Sequence, residues 1–256
     1  MKIGIIGLGI VGNATKDGLR QIDHQVSHYD IKDNTSIDNV LDTEIVFVCV
    51  PTNSDSAGNC NVSQVVNTIE NLSSCNYKGI VAIKSTVIPG TTQNLINQHP
   101  TLSICFVPEF LREKSALNDF IDGHDVLMVG TDSDNIFDAV VKCHGNIPQS
   151  VKRLSPTEAE IAKYFCNVFN SLRITFANGV YEVCKTLGAD YQQVFDAVIR
   201  RHNITPEYLR CSEYLRGYGG HCLPKDSQAW AVLIKQLGLD IELFSAIVKD
   251  NEKYTK

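Results

Sequence analysis

The first thirty residues carry a glycine pattern that restricts how the chain can fold. A short apolar run at residues 2–6 leads into Gly7-x-Gly9-x-x-Gly12, a helix pattern follows, and a second apolar run ends at Asp30. A strand, a glycine turn, a helix and a second strand that ends in an acid are typical of a dinucleotide-binding βαβ unit. We therefore predict a dinucleotide site here; the alternative is a glycine-rich turn without a ligand.

The residues around this turn also indicate which dinucleotide is bound. The glycines allow a pyrophosphate to approach the N-terminus of the following helix, where Ile10 and Val11 lie. The Asp30 carboxylate can accept hydrogen bonds from the adenosine ribose hydroxyls, and its charge repels an added phosphate. Lys32 nearby acts in the opposite direction. The pattern favours NAD over NADP.

Further β-branched apolar runs alternate with helix patterns along the first half of the chain. Strands are predicted at residues 26–30, 45–50, 80–83, 102–107 and 126–129, and helices at 62–72 and 91–97. Such alternation is typical of an α/β fold with a doubly wound, Rossmann-like parallel sheet. We predict an NAD-binding Rossmann domain over residues 1–153.

The chain changes character after about residue 153. Ser155-Pro-Thr-Glu158 is a capping box with proline at the first helical position. Apolar residues then recur every three or four positions up to Leu187, which predicts one helix over 156–187, roughly 45 Å long. Shorter helices are predicted near 192–201, 225–237 and 241–253.

This second half is predicted to be an all-helical central domain over residues 154–256, with dimerisation and catalytic roles. The long helix has more apolar positions than a small domain can cover, which predicts a homodimer through residues 156–187. The alternative is that the helix links two lobes.

Composition excludes several classes of protein. The chain has 256 residues, a net charge of -6 and 43% hydrophobic residues, which indicates a globular protein with no nucleic-acid or membrane partner. Its nine cysteines include no Cys-x-x-Cys pair, so neither a disulfide framework nor a metal site is predicted. The apolar N-terminus is interrupted by glycines, unlike a signal peptide, and we expect a cytoplasmic protein.

One cysteine stands in an unusual setting. The stretch GYGGHCLPKD, residues 217–226, places Cys222 between a glycine-rich turn and a predicted helix start, with a lysine close by. A helix N-terminus and a cation both favour thiolate over thiol. Cys222 is therefore a candidate nucleophile; the alternative is a buried structural cysteine.

With this loop, the dinucleotide pattern and the helical second half, the sequence resembles the UDP-glucose/GDP-mannose dehydrogenase family. Four further segments carry the resemblance, in the family's order along the chain: Val50-Pro51-Thr52, KSTVIPGT at 84–91, PEFLRE at 108–113, and SPTEAEIAK at 155–163 leading to Asn167.

The resemblance implies an NAD-dependent enzyme that oxidises the primary alcohol of a nucleotide sugar to a carboxylate in two steps. UDP-glucose is the substrate we expect, although the sequence does not identify the sugar or the base. In this chemistry the cysteine traps the intermediate aldehyde as a thiohemiacetal, the second oxidation gives a thioester, and water hydrolyses it.

The resemblance also implies roles for individual residues. Cys222 matches the nucleophile, and Asp226 matches a carboxylate that works with an ordered water as base. Lys163 matches a lysine that stabilises oxyanions, and Asn167 matches an asparagine that binds the sugar or water. Because the two residues are four apart on one helix, the alternative is that they form a solvated helix face. Glu109 matches the residue that activates the hydrolytic water.

Thr86 matches a threonine near the nicotinamide and the catalytic water, with a strand-end cap as the alternative. Glu113 matches a residue lining the substrate or cofactor pocket, with a surface charge as the alternative. The cofactor set is completed by Val50, Pro51 and Thr52. The expected substrate contacts are Glu109, Phe110, Leu111, Lys163, Asn167, Tyr208, Leu209, Arg210, Tyr218 and Gly219.

The sequence departs from the family pattern in two respects. We expect a shortened form, because the sequence ends at Lys256 without the C-terminal UDP-binding domain that members usually carry, and a partner protein could supply that domain. The loop before Cys222 is a few residues longer, and Asn203 stands where the family tends to have an arginine.

Two alternatives for the function remain: a non-catalytic NAD-binding partner of a full-length enzyme, and a two-domain 3-hydroxyacid dehydrogenase, which needs no cysteine.

Overall fold

The computed structural model describes residues 1–254, which divide into two compact units. The first unit comprises Met1–Asn53 and Asn61–Lys163, and the second comprises Ser54–Cys60 and the chain from Tyr164 onward. The domains predicted from the sequence, 1–153 and 154–256, stay a prediction, and residues 255–256 lie outside the described chain.

One mixed but mainly parallel sheet forms the centre of the first unit. Its strands in the described chain are β1 (Lys2–Ile6), β2 (Gln25–Tyr29), β3 (Ile45–Val48), β4 (Ile80–Ile83), β5 (Ser103–Phe106), β6 (Val126–Gly130) and β7 (Ser150–Leu154). They are ordered β2-β1-β3-β4-β5-β6-β7. All neighbouring pairs are parallel except β5 with β6, which meet antiparallel at Phe106 and Gly130. This confirms the predicted doubly wound α/β fold.

The strand β7 was not predicted. Its sequence, SVKRL, has two basic residues and three exposed positions, so it lacks the apolar run by which the other strands are recognised. It forms because its backbone extends the sheet from β6, which no local pattern reveals.

Helices cover both faces of the sheet. In the first unit they are α1 (Ile10–Gln21), α2 (Asp38–Leu41), α3 (Ser63–Ser74), α4 (Thr91–Gln98), a 3-10 turn (Glu113–Ser115), α5 (Ala116–Ile121) and α6 (Asp134–His144). Side chains alternate between faces along a strand. In β3, Val46 and Val48 therefore join one core cluster with α3 and α4, while Ile45 and Phe47 join a second with α1, α5 and α6. The carboxyl ends of the strands are left to form a site.

The second unit is helical. Its helices are α7 (Pro156–Leu187), which begins in the first unit, α8 (Tyr191–Val198), α9 (Cys222–Gln236) and α10 (Leu243–Asn251). The bounds predicted for α7 are confirmed. So is its capping box, because the Ser155 amide donates to Glu158 Oε2 at 2.8 Å and the Glu158 amide donates to Ser155 Oγ at 3.3 Å. The helix α9 begins three residues earlier than predicted, at Cys222 itself.

Candidate active site

The glycine turn after β1 has the geometry of a dinucleotide loop. Gly7 has a φ of +91°, and a Cβ on Gly12 would lie 1.9 Å from the Gly7 carbonyl oxygen, so both positions require glycine. A Cβ on Gly9 would have no atom within 4 Å. Gly7 and Gly12 therefore close the turn, and Gly9 leaves open space beside the turn for a ligand.

The end of α1 at this turn is suited to an anion. Gly9 is its N-cap, with no side-chain cap and no acidic residue in the first turn, so no capping side chain bonds to the first amide groups of this helix. The residues present therefore fit the pyrophosphate of NAD.

Asp30, which follows β2, forms a hydrogen bond with the same turn. Its carboxylate accepts hydrogen bonds from the Leu8 amide at 2.6 Å and the Lys32 amide at 2.8 Å. The bond from Leu8 is the main cause that lowers the pKa of Asp30. An ionised carboxylate with further lone pairs is thus held where ribose hydroxyls are expected.

The remaining predicted cofactor residues lie at the same carboxyl edge. Val50, Pro51 and Thr52 follow β3, and Thr86 follows β4. The two segments are joined because Ser85 Oγ donates to the Val50 carbonyl oxygen at 2.7 Å. Thr52 is buried and Thr86 half-buried.

A buried ion pair stands at the end of β5. The Lys163 ammonium, on α7, donates to the Glu109 carbonyl oxygen and lies 3.2 Å from Glu109 Oε1, with side chains only 4% and 9% exposed. It also lies 5.3 Å from the centre of the Phe110 ring. Glu109 Oε2 accepts from the Leu111 amide at 2.8 Å. The structure thus brings Lys163, Glu109, Phe110 and Leu111 together.

Other predicted residues of the first unit are placed differently. Glu113 opens the 3-10 turn and is exposed. Its neighbour Arg112, in contrast, forms an ion pair with Asp119 at 2.6 Å. The role predicted for Glu113 stays a prediction, with its alternative as a surface charge.

In the second unit, Cys222 is the first residue of α9 and is exposed, which excludes the buried alternative. Among residues 1–254, none of the nine cysteines forms a disulfide bond. The preceding residue, His221, provides no side-chain cap, and the first turn of α9 has no acidic residue. The thiol is therefore at a helix N-terminus whose partial positive charge favours a thiolate.

Asp226 lies one turn further along α9 and is completely buried. Its Oδ1 accepts from the Lys225 ammonium at 2.6 Å, and its Oδ2 accepts from Asn167 Nδ2 at 2.6 Å. Asn167 is 9% exposed and Lys163, on the same helix, 3%, so the alternative of a solvated face is wrong. Asp226 is held in one orientation by an ammonium and an amide.

The helix α9 is held against α7 by two further contacts. Ser227 Oγ donates to Ser171 Oγ at 2.8 Å, and the Trp230 ring stacks on the Tyr164 ring with centroids 5.5 Å apart. Ser227 and Trp230 follow Cys222 by five and eight residues, so α7 supports the first half of α9.

The predicted substrate residues between α8 and α9 fall into two groups. Tyr208, with a φ of 62°, and Arg210 line a cavity of about 370 Å³ together with Ile174, Pro206, Glu207, Leu215 and Gly217. The Leu209 carbonyl oxygen accepts from the Tyr191 hydroxyl at 2.6 Å, and Gly219 is exposed. Tyr218, however, is only 3% exposed and its backbone is bonded to Asn251.

Sequence reasoning missed several polar residues of this unit. Lys225 was noted as a cation near Cys222, but its pairing with Asp226 was not predicted. The sequence predicts that the turn at 216–220 lies near the sugar, but it does not predict that Asn178 binds Arg216 or that Asn251 binds Tyr218 to hold this loop. Asn178 and Asn251 lie far from the loop in sequence, so no local pattern indicates these contacts.

Comparison with known families decides what this fold and these residues belong to. The model of the NAD binding domain of the UDP-glucose/GDP-mannose dehydrogenase family matches residues 33–146, and that of the family's central domain matches residues 157–253. The chain belongs to the UDP-glucose/GDP-mannose dehydrogenase family. NAD is therefore the cofactor of the first unit.

Individual members of the family are similar over most of this chain. UDP-glucose 6-dehydrogenase AglM from Haloferax volcanii is 27% identical, covering 98% of this chain and 70% of its own length. GDP-mannose 6-dehydrogenase from Pseudomonas aeruginosa is also 27% identical, covering 83% of this chain and 51% of its own. The chain thus spans about half to 70% of the length of these relatives.

A solved structure agrees with both comparisons. The UDP-glucose dehydrogenase from Pyrobaculum islandicum superposes with a TM-score of 0.90 at 26% identity, covering 98% of this chain and 68% of that one. Relatives named for a UDP sugar and for a GDP sugar have the same identity, so identity alone does not separate the two bases.

Within residues 1–254, no helix has the length and apolar character to cross a membrane. In the same part of the chain, no group of three or more histidine, cysteine, aspartate or glutamate residues is arranged to hold a metal ion.

Proposed function

We propose that this protein oxidises the primary alcohol of a nucleotide sugar to a carboxylate in two NAD-dependent steps, with UDP-glucose as the first candidate substrate. The observation that carries the proposal is the position of Cys222, exposed at the first residue of α9 and one turn before the buried Asp226. NAD, when bound, accepts one hydride in each of the two oxidations.

The cysteine connects the two oxidations. The first oxidation removes a hydride and a proton from the alcohol and leaves an aldehyde. The Cys222 thiolate adds to the aldehyde carbon, and protonation of the oxygen gives a thiohemiacetal. Removal of a second hydride and a proton gives a thioester, which water hydrolyses to the carboxylate and the thiol.

Asp226 is the proposed base for these proton transfers, acting through a water. Its two oxygens each accept one hydrogen bond, from Lys225 and from Asn167, and keep further lone pairs for water. The ammonium of Lys225 stabilises the carboxylate in the buried setting. Asn167 fixes the plane of the carboxylate, because its Nδ2 donates to the oxygen that Lys225 does not contact.

Lys163 and Glu109 supply the remaining proposed roles. The Lys163 ammonium stabilises the negative oxygen that develops when the alcohol is deprotonated or the thiolate adds. Glu109 activates the hydrolytic water. Their contact supports this pairing, because the carboxylate holds the long lysine side chain in a buried position where its charge is poorly screened.

The test is a count of products from the purified protein. It is incubated with NAD and, separately, with UDP-glucose, GDP-mannose and UDP-N-acetylmannosamine, and NADH and carboxylate are measured for each sugar consumed. We expect two NADH and one carboxylate for one of these sugars, and no carboxylate from Cys222→Ala, which should still bind NAD. One NADH per sugar with an aldehyde or ketone as product would refute the mechanism. No turnover of any sugar would favour a non-catalytic NAD-binding partner.

We also propose that a second copy of the chain covers α7. Six apolar side chains on this helix are between 41% and 76% exposed: Ile161, Phe165, Phe169, Phe176, Val183 and Leu187. An exposed apolar stripe of this length on one helix is typical of a symmetric helix–helix interface.

A further inference from the structure

The loop that leads to Cys222 contains a closed turn between Ser212 and Leu215. The Ser212 amide donates to the Leu215 carbonyl oxygen at 3.2 Å, and the Leu215 amide donates back to Ser212 at 3.3 Å. Tyr214, at its tip, is 94% exposed. The turn bonds to itself, so on the N-terminal side of Cys222 the loop is held by the chain on either side of this turn.

Both sides of the turn are held by one buried asparagine of α7. Asn178 is 1% exposed, and its Oδ1 accepts from Arg216 Nε at 2.6 Å and from the Gly217 amide at 3.2 Å. The Cys211 thiol, before the turn, donates to the same oxygen at 3.6 Å. Three donors from the loop therefore converge on one side-chain oxygen.

The Arg216 guanidinium is held on its other sides as well. It forms an ion pair with Glu182, one turn after Asn178 on α7, and its side chain is 15% exposed. The rings of Tyr181 and Tyr254 each lie 4.5 Å from its central carbon. A planar cation that is bonded at its edge and stacked on two rings has little freedom to move.

A second asparagine holds the next residue. The Tyr218 amide donates to Asn251 Oδ1 at 2.7 Å, and Asn251 Nδ2 donates to the Tyr218 carbonyl oxygen at 2.9 Å. Asn251, on α10, is 6% exposed. The Asn251 side chain thus accepts from the Tyr218 amide and donates to the Tyr218 carbonyl oxygen, as the backbone of a neighbouring strand does in a sheet.

After Tyr218 the chain has Gly219, Gly220 and His221 before it reaches Cys222. A Cβ on Gly219 or on Gly220 would have no atom within 4 Å, and Gly220 has a φ of +75°. Nothing in this pair stiffens the backbone. The last rigid point before Cys222 is therefore the bonded stretch from Arg216 to Tyr218.

We propose that Arg216, Asn178 and Asn251 are positioning residues for Cys222, a role that rests on the proposed function of this cysteine. They hold the loop at Arg216–Tyr218, so that the thiolate is presented at the N-terminus of α9. Capture of the aldehyde needs the sulfur close to the carbonyl carbon, and a misplacement of about 1 Å costs about a hundredfold in rate. The first oxidation does not use the sulfur, so loosening the loop slows the second step selectively.

The experiment compares Arg216→Ala with Arg153→Ala. Arg153 is a matched control in the first unit: it pairs with Asp134, donates to the Thr131 carbonyl oxygen at 2.9 Å and lies 5.7 Å from the Phe137 ring. NADH per sugar and aldehyde trapped by hydroxylamine are measured for each variant. The pH dependence of Cys222 alkylation by iodoacetamide is followed by mass spectrometry in the absence of substrate.

We expect Arg216→Ala to lower the second oxidation about tenfold or more, with release of aldehyde and a smaller change in KM, and to raise the pH midpoint of Cys222 alkylation. Arg153→Ala should change none of these. Arg216→Lys keeps the charge but loses the planar fork and should recover part of the second oxidation. Asn251→Asp, which replaces the donor to the Tyr218 carbonyl oxygen by an acceptor, should reproduce the defect even if Arg216→Ala does not fold.

The inference is overturned if Arg216→Lys and Asn251→Asp fold and still release two NADH per sugar with an unchanged alkylation profile. Failure of the proposed function is recognised separately, because it appears in the unmodified protein and in Cys222→Ala. The alkylation profile reports on the loop in either case.

Discussion

The buried pair of Lys225 and Asp226 allows a direct test of how burial determines the strength of an ion pair. Its ammonium and carboxylate oxygen are 2.6 Å apart, with side chains 10% and 1% exposed. Lys253 and Asp250 form a pair at the same 2.6 Å, with side chains 61% and 46% exposed. The two ion pairs therefore have the same distance between ammonium and carboxylate and differ in how far their side chains are buried.

The perturbation is Asp226→Asn, which preserves shape and removes the charge. The Lys225 ammonium then has no counter-charge in a buried setting, and one hydrogen bond, to Lys225 or to Asn167, is lost. Breaking a buried pair on one side costs about 3 kcal/mol, and loss of a charge-assisted hydrogen bond alone costs about 1.5 to 3 kcal/mol. We expect a loss of about 3 kcal/mol in the free energy of unfolding.

The exposed pair gives the control. Asp250→Asn should cost much less than Asp226→Asn in the free energy of unfolding, because water screens both charges of the exposed pair. Both variants are measured by urea unfolding at neutral pH and low salt. The double variant Lys225→Met with Asp226→Asn should recover part of the loss, since it leaves no unpaired charge, with a coupling energy of about 1 to 3 kcal/mol.

Two results would refute this reasoning. One is a loss below about 1 kcal/mol for Asp226→Asn, and the other is equal losses for the buried and exposed variants. Activity is measured alongside, and Asp226→Asn should abolish carboxylate formation even where the protein remains folded.

Three further predictions concern the cofactor, the helix α7 and acid stability. Asp30→Ala should relax the preference for NAD over NADP, because it removes both the ribose acceptor and the charge that repels a phosphate; equal use of both cofactors by the unmodified protein would contradict this. Phe165→Asp should convert the proposed dimer to a monomer in light scattering, and a stable monomer of the unmodified protein at micromolar concentration would exclude the dimer. Arg112 lowers the pKa of Asp119 from 3.8 to about 2, so the stability from this pair is present above about pH 4 and lost as pH falls towards 2. Asp119→Asn should thus cost about 1 to 2 kcal/mol in urea unfolding at pH 6 and less at pH 3, and an equal cost at both would show that the charge is not responsible.

The local elements of this protein could be predicted closely. The strands β1 and β4 and the helix α7 have the bounds that their apolar patterns indicate. The capping box at Ser155 and the glycine turn at Gly7–Gly12 also follow from sequence, because each is made by residues within a few positions of one another. Where a helix, strand or turn is determined by its own side chains, the sequence pattern predicts the bounds that the structure has.

Elements that depend on a distant partner could not be predicted. The strand β7 exists because β6 offers it an edge to pair with. The segment Ser54–Cys60 lies between β3 and α3 in the chain, yet it belongs to the second unit, where Gln236 Nε2 donates to Asn59 Oδ1 at 3.0 Å. Neither segment has a periodic pattern that indicates its partner.

The candidate site divides in the same way. The sequence by itself determined the residue types, because a glycine turn, an acid after β2 and a cysteine before a helix are local signals of dinucleotide binding and nucleophilic catalysis. Only the tertiary structure decided their surroundings: Asp226 is paired with Asn167, and Arg216 is held by Asn178 and two tyrosine rings. Hydrogen bonds and ion pairs between side chains far apart in the chain depend on which helices pack together and in what register, and a single sequence carries no periodic signal for that choice.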